Sequence, residues 1–295
     1  MKLQVRTLSP WPVRLELEDA VFSDEIPEEK ADALLANWRP VPELFTFPRR
    51  KAWYHSEPPC QFDHLEGGSW PGFRDRLAPS EFLWFGHEDP RFRVPPITHL
   101  VRPEPDSKGN RLARAVAVVS NYGGNRFPRV PDLHWRNRIV TLPKVDLFGR
   151  EGWRRYRRRR FSWPSAPANY RGPIAGDWSD AAKRTLLSRY HAVVCLENQC
   201  RPYYFTEKFM DAVAAGAVPI YRAHPTVAES FLRGASWIDP ADHDDDPERT
   251  LDAALETDRE AVLAAQHTWL STNADLPLTH HLAVYGRIAT ILRDS

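Results

Sequence analysis

Between His191 and Pro225 two short, unbroken apolar runs flank one stretch of helical period. Ala192 to Leu196 shows no polar alternation, which suits a parallel strand buried on both faces. The run ends at Glu197 and Asn198, and a polar turn with Arg201 and Pro202 follows. Thr206 then stands where a helix N-cap is expected. Phe209, Ala212, Val213 and Gly216 recur at helical steps, and Gly216 is placed to stop the helix. Val218 to Tyr221 predicts a second strand. The unit is strand–loop–helix–strand, and open α/β sheets bind ligands at the carboxyl ends of their strands.

The same pattern can be read along the rest of the chain. Strands are predicted at Leu3–Leu8, Val13–Leu17 and Ala31–Leu35. Another runs from Lys51 until Pro58 and Pro59 stop it, with Glu57 at its end. The breaker-rich stretch Arg102–Asn110 reads as a linker, and Ala115–Ser120 as the buried strand that opens a second domain. Helical spacing after Glu248, down to Leu282, Tyr285, Ile288 and Leu292, predicts helices that close that second domain. Two α/β domains follow, 1–110 and 111–295.

Composition narrows the function classes. The 295 residues carry a net charge of +1, so the chain as a whole makes no electrostatic case for nucleic acid. No apolar run is long enough to cross a bilayer, and the N-terminus lacks a secretory h-region. Three cysteines cannot build a disulfide framework, so a soluble protein in a reduced, cytoplasmic setting is expected. Trp153 to Arg160 packs six arginines into eight residues. That run could be a solvated face, a nucleic-acid track or a peripheral membrane contact, and the solvated face is favoured. Asp242 to Asp246 invites a D-x-D metal reading, discounted because it sits in a polar loop after Ile238-Asp239-Pro240.

The loop before the central helix carries the chemistry. Thr206, Glu207 and Lys208 sit where free N–H groups and the helix dipole favour an anion. Lys208, at a helix start, is expected to face solvent. Glu207 could accept both hydroxyls of a ribose. A capping box with a solvated lysine would leave the same residues in the same order.

Leu196-Glu197-Asn198, Tyr204-Phe205-Thr206-Glu207-Lys208 and Ala215-Gly216-Ala217-Val218-Pro219-Ile220 resemble, without a gap, the signature of the GDP-fucose-dependent α-1,3-fucosyltransferases. Lys183, Leu187 and Tyr190 also fall on that family's pattern. So does Val145-Asp146-Leu147-Phe148-Gly149-Arg150. Lys51 to Pro59 is similar to the family block that carries the base, although Pro58 stands where the family has Ser. Phe82 to Pro90 resembles a further block in which His87 replaces the usual basic residue.

The resemblance implies a GT-B architecture, two facing Rossmann-like α/β domains with a cleft between them. It implies inverting transfer of fucose from GDP-fucose to a glycan hydroxyl in α linkage, α-1,3 by analogy. Glu57 would be the general base. Arg136, Lys183, Asn198, Tyr204, Thr206, Glu207 and Lys208 would bind the donor, with Arg129 and Arg138 as rivals to Arg136. No cofactor or metal is required on this reading. Anchored relatives also leave open a trimmed form of a Golgi enzyme. Two alternatives stay open: a GT-B transferase using another nucleotide sugar, and a non-catalytic basic binding module.

Overall fold

The computed structural model describes residues 1–9, 13–37, 41–54, 82–85, 110–121, 130–150, 153, 157–158, 161–162, 166–174, 180–273 and 281–294. They fall into two compact units, Met1–His99 with Pro277–Ser295, and Leu100–Leu276. Among the described residues no helix is long and apolar enough to cross a membrane.

The first unit is built on strands β1 (Leu3–Leu8), β2 (Arg14–Glu16), β3 (Ala20–Ser23), β4 (Ala33–Asn37), β5 (Arg50–Tyr54) and β6 (Phe82–Phe85). They form one sheet in the order β2-β3-β1-β4-β5-β6, parallel except for the β2–β3 pair. Strand β4 shows why both faces must be covered. Ala33 and Leu35 belong to one apolar cluster while Leu34 and Ala36 belong to the other, as the two-residue period of a strand requires. The short helix α1 (Glu43–Thr46) helps cover the second face through Leu44.

The first face is covered by the C-terminal helix, His281–Asp294. Its Val284, Tyr285, Ile288, Ala289, Ile291 and Leu292 pack among Leu3, Val5, Phe22, Leu35 and Tyr54. Tyr285 meets Phe22 edge-on at 5.0 Å between centroids, and its hydroxyl accepts a 3.0 Å bond from Asn37. Arg50 donates to the Leu292 and Arg293 carbonyls at the end of this helix, at 2.9 and 3.1 Å. This corrects the domain division drawn from sequence. The chain returns to the first unit after closing the second, because helical spacing reveals an apolar face but not which sheet it covers.

The second unit contains β7 (Leu112–Val118), α2 (Pro131–Val140), β8 (Val145–Phe148), the two-residue strands β9 (Arg157–Arg158) and β10 (Phe161–Ser162), and β11 (Tyr170–Gly172). Next come α3 (Asp180–Leu187), β12 (Tyr190–Val194), α4 (Glu207–Ala214), β13 (Val218–Ile220), α5 (Pro225–Ser230), α6 (Pro247–Glu256) and α7 (Arg259–Thr272). Its main sheet is entirely parallel, in the order β11-β8-β7-β12-β13. Counted within this sheet the order is the 3-2-1-4-5 of a dinucleotide-type fold, whose direction of winding reverses between β7 and β12. The carboxyl ends of those two strands are where a ligand belongs.

Two glycines fix the frame. Gly216 takes φ +61° and its N–H closes on the Val213 carbonyl at 2.9 Å, so it ends α4 as expected. At Gly149 a Cβ would stand 2.2 Å from the Val119 carbonyl oxygen and 2.9 Å from the Trp153 indole, so only glycine fits. Trp153, buried, donates to that same Val119 carbonyl at 2.7 Å. The arginine run thus starts from a core anchor, and Arg157 and Arg158 lie in a short antiparallel pair with Phe161 and Ser162. The rest of the run is outside the described residues, as are Glu57, His87 and Arg129.

Candidate functional site

The ends of β7 and β12 are joined by one side chain. Arg136, on the face of α2 turned toward the sheet, is 1% exposed. Its Nη1 donates to Asn198 Oδ1 at 2.7 Å and its Nη2 to the Ser120 carbonyl at 3.1 Å. A planar fork can hold two oxygens in one fixed geometry, which a lysine could not do. Arg138 on the same helix is exposed, so of the two described rivals only Arg136 reaches the strand ends. Its burial makes it a fixed charge behind the site, one that positions Asn198, itself 5% exposed.

Beside Asn198 lies a residue that sequence reasoning passed over. The Glu197 side chain is 2% exposed. It accepts from the Thr206 N–H at 2.7 Å, and Thr206 Oγ1 lies 2.8 and 2.7 Å from its two oxygens. Lys208 Nζ reaches it at 3.0 Å, and the Tyr221 hydroxyl at 3.4 Å. Burial pushes the Glu197 carboxyl above its usual range, and Lys208 and Thr206, which pull the other way, do not offset it. A carboxylate at a strand end is a weak sequence signal. Only the return of Thr206 and Lys208, nine and eleven residues later, gives it a function.

Thr206 does occupy the N-cap position of α4, but its hydroxyl makes no capping bond to the helix. It serves Glu197 instead, so a capping box does not describe this turn. Lys208 is also unlike the expected solvent-facing lysine. Its side chain is 19% exposed, and Nζ lies 2.7 Å from Thr206 Oγ1 and 3.4 Å from Glu207 Oε1. Glu207 is the most open of the group, 31% exposed at the first position of the helix.

The turn leading into α4 is held from below. Tyr203 adopts φ +56°, the left-handed region, and its N–H donates to Thr226 Oγ1 at 2.8 Å. Such a conformation in a bulky residue persists only where surrounding contacts fix it. Phe205 is fully buried, edge-on to Tyr221 at 6.1 Å and stacked on Phe231 at 6.0 Å. Tyr204 is 2% exposed, so it shapes the turn and offers almost no surface to a ligand. Lys183 pairs with Asp211 and ties α3 to α4, one step removed from the Thr206–Lys208 turn.

On the other flank, the Cys200 N–H donates to Asp132 Oδ2 at 3.0 Å, anchoring the loop to α2. Arg222 lies 3.6 Å from Asp132 and 4.9 Å over the Trp135 ring, and it also pairs with Asp245. A pocket of about 10 Å³ sits among Asp132, Trp135, Leu196, Glu197, Cys200 and Arg222, room for roughly one water. The acidic loop is engaged in similar ways. Asp244 pairs with Arg249, and Asp246 caps α6 through the Glu248 and Arg249 N–H groups, both at 2.9 Å. Among the described residues no cluster of His, Cys, Asp or Glu could hold a metal ion.

What this arrangement offers is a rim of hydrogen-bonding and paired charged groups at the carboxyl edge of a parallel sheet, with Lys208 set between Glu197 and Glu207. Arg136, Asn198, Thr206, Glu207 and Lys208 all belong to it. Comparisons with known proteins agree with that geometry. Residues 111–269 match the family model described as glycosyltransferase family 10 (fucosyltransferase), C-terminal part. An α1,3-fucosyltransferase crystal structure aligns over 99% of this chain and 90% of its own, with TM-score 0.52 and 15% identity. A second such structure, with GDP-fucose, aligns at TM-score 0.46 and 15% identity, over 99% of this chain and 90% of its own. A trehalose-6-phosphate synthase aligns over 99% of this chain and 93% of its own, with TM-score 0.50 and 9% identity. No curated protein matches the chain. The fold is that of the GT-B glycosyltransferases, with two Rossmann-like α/β units. The family match covers more than half of the chain and every described residue of this rim, and the protein therefore belongs to glycosyltransferase family 10, the fucosyltransferases.

Proposed function

We propose that the protein moves fucose from GDP-fucose to a hydroxyl of a glycan acceptor, in α linkage and with inversion, α-1,3 being the expected position. The observation that carries this reading is the rim at the β7–β12 switch, where Lys208 and Glu207 open α4 in front of the buried Arg136 charge. A departing diphosphate gains negative charge, and preorganised cations with a helix N-terminus stabilise it. Lys208 and the first N–H groups of α4 would meet the diphosphate, and Glu207 the ribose hydroxyls. Asn198, held by Arg136, would border the nucleotide, while Tyr204, Thr206 and Lys183 would keep the turn in place. Glu57 would take the acceptor proton, since a sugar hydroxyl is a poor nucleophile near neutral pH. On this reading Lys208, Arg136 and the N-terminus of α4 would serve the diphosphate without a required metal. Stereochemistry does not follow from the fold, which hosts many chemistries, so inversion rests on a β-linked donor giving an α-linked product.

Thermal denaturation with GDP-fucose, GDP, UDP-sugars and an oligonucleotide tests this directly. At about 100 times its dissociation constant a ligand of the native state adds about 2.7 kcal/mol. GDP and GDP-fucose are expected to stabilise the protein, UDP-sugars and the oligonucleotide not. Equal stabilisation by UDP-sugars would overturn the donor assignment. Loss of transfer in EDTA, restored by manganese, would overturn metal independence.

A further inference from the structure

We propose that Glu197 is a positioning residue for the transfer reaction, one that aims the Lys208 ammonium and fixes the Thr206 turn; this rests on the fucosyl-transfer reading of the same site. Lys208 has three donor hydrogens, and the oxygens near its Nζ include three from Glu197, Thr206 and Glu207. Glu197 Oε2 at 3.0 Å and Thr206 Oγ1 at 2.7 Å are the inner two. They also lie 2.7 Å from each other, which closes a triangle that leaves the ammonium little freedom. The third oxygen, Glu207 Oε1, is farther at 3.4 Å and on the more exposed side chain. Exchanging that outer contact for a phosphate oxygen would keep the inner two, and with them the direction of the charge.

A purely structural role explains the carboxylate poorly. Burying an ionised group is costly, and a neutral amide or a water could satisfy Thr206 equally well. An ionised carboxylate binds the hydroxyl and holds the lysine more strongly than a neutral oxygen of the same shape would. Glu197 lies three residues past the end of β12 and precedes Asn198, which Arg136 holds. The two residues past this strand end thus each contact one cation, Glu197 meeting Lys208 and Asn198 meeting Arg136.

The test compares Glu197→Gln, which keeps the shape and loses the charge, with Glu197→Asp, which keeps the charge and loses reach. Three quantities are read: GDP affinity by calorimetry, GDP-fucose turnover with N-acetyllactosamine as acceptor probe, and acylation of Lys208 in the ligand-free protein by peptide mass spectrometry. In both variants turnover should fall roughly 10²-fold and by more than GDP affinity does, because the Lys208 charge meets the diphosphate of GDP but acts most strongly as the leaving group gains charge. Lys208 acylation should rise in Glu197→Gln. Unchanged turnover with unchanged acylation overturns the proposal. So does a parallel loss of affinity, turnover and melting temperature, the signature of a structural role alone. Should Glu197→Gln fail to fold, Glu197→Asp decides by the same split between affinity and turnover. Failure of the wild-type protein to bind GDP would instead sink the donor reading, and this proposal with it, whatever the acylation result.

Discussion

Arg136 and Asn198 are locked by a 2.7 Å bond between a buried guanidinium and a buried amide oxygen, and the same guanidinium holds the Ser120 carbonyl at 3.1 Å. One side chain therefore ties the ends of β7 and β12 together, at the point where ligands of such sheets bind. Arg136→Lys keeps the charge but cannot span both oxygens. It should cost about 1.5–3 kcal/mol of stability in urea unfolding, the range for hydrogen bonds to a charged group. GDP affinity should fall with it. A variant as stable and as avid as the wild type would show that the fork is incidental.

Lys208→Ala is expected to destabilise the protein, contrary to what a solvent-facing lysine would do. It leaves the Glu197 carboxylate buried without its cation, a change of about 3 kcal/mol in comparable buried pairs. The sign with pH follows from the raised Glu197 carboxyl. A group whose folded pKa lies above its unfolded value supports the fold in acid, and that support is lost as pH rises through the folded pKa. Without Lys208 that pKa climbs further, so the penalty should be small in acid and grow toward neutral pH. Urea titrations across that range check the slope, and adding Glu197→Gln to Lys208→Ala should restore most of the stability.

Asp146 should behave in the opposite sense. Burial pushes its carboxyl up, but Arg114, Arg171 and the Tyr190 hydroxyl outweigh that and hold it below its usual range. Arg114 and Arg171 each lie 2.9 Å from Oδ1, and Tyr190 donates to Oδ2 at 3.1 Å. A depressed carboxyl contributes stability above its unfolded pKa and loses it as pH falls through the folded value. Asp146→Asn should therefore cost about 1–3 kcal/mol at neutral pH, with the gap closing in acid. A gap that is constant with pH would rule out the ion-pair account.

How much of this was legible in the sequence depends on the length scale of the interaction. The apolar runs placed β12 and β13 within two residues, and Gly216 stopped α4 where a positive φ was needed. Asn198, Thr206, Glu207 and Lys208 stood out because they share one ungapped motif, whereas spacing left Arg136 as one of three arginines. The role of Glu197 was not legible, because a strand-end carboxylate reads the same whether solvated or buried, and its partners lie across a loop. The placement of the C-terminal helix was not legible either. Tyr285 and Ile288 announce an apolar face, but their partners Phe22 and Leu35 lie at the other end of the chain.

Glu57, the carboxylate proposed as the base, lies outside the described residues and ahead of the matched segment 111–269. If it is the base, Glu57→Gln should cut turnover by roughly 10²–10⁴-fold, the usual range for such catalysis. The amide keeps the shape but cannot take the proton. GDP affinity should hardly change, because the nucleotide contacts proposed here all belong to the second unit. Pro58 and Pro59 follow directly and restrict the backbone that presents the carboxylate. Loosening it with Pro58→Gly should slow turnover by a smaller factor. An exposed structural glutamate predicts near-normal turnover in Glu57→Gln and no ordering between the two variants. Steady-state kinetics at saturating GDP-fucose separates these outcomes. Transfer to an acceptor must be followed, because donor hydrolysis lets water take the place of the hydroxyl that the base is there to activate.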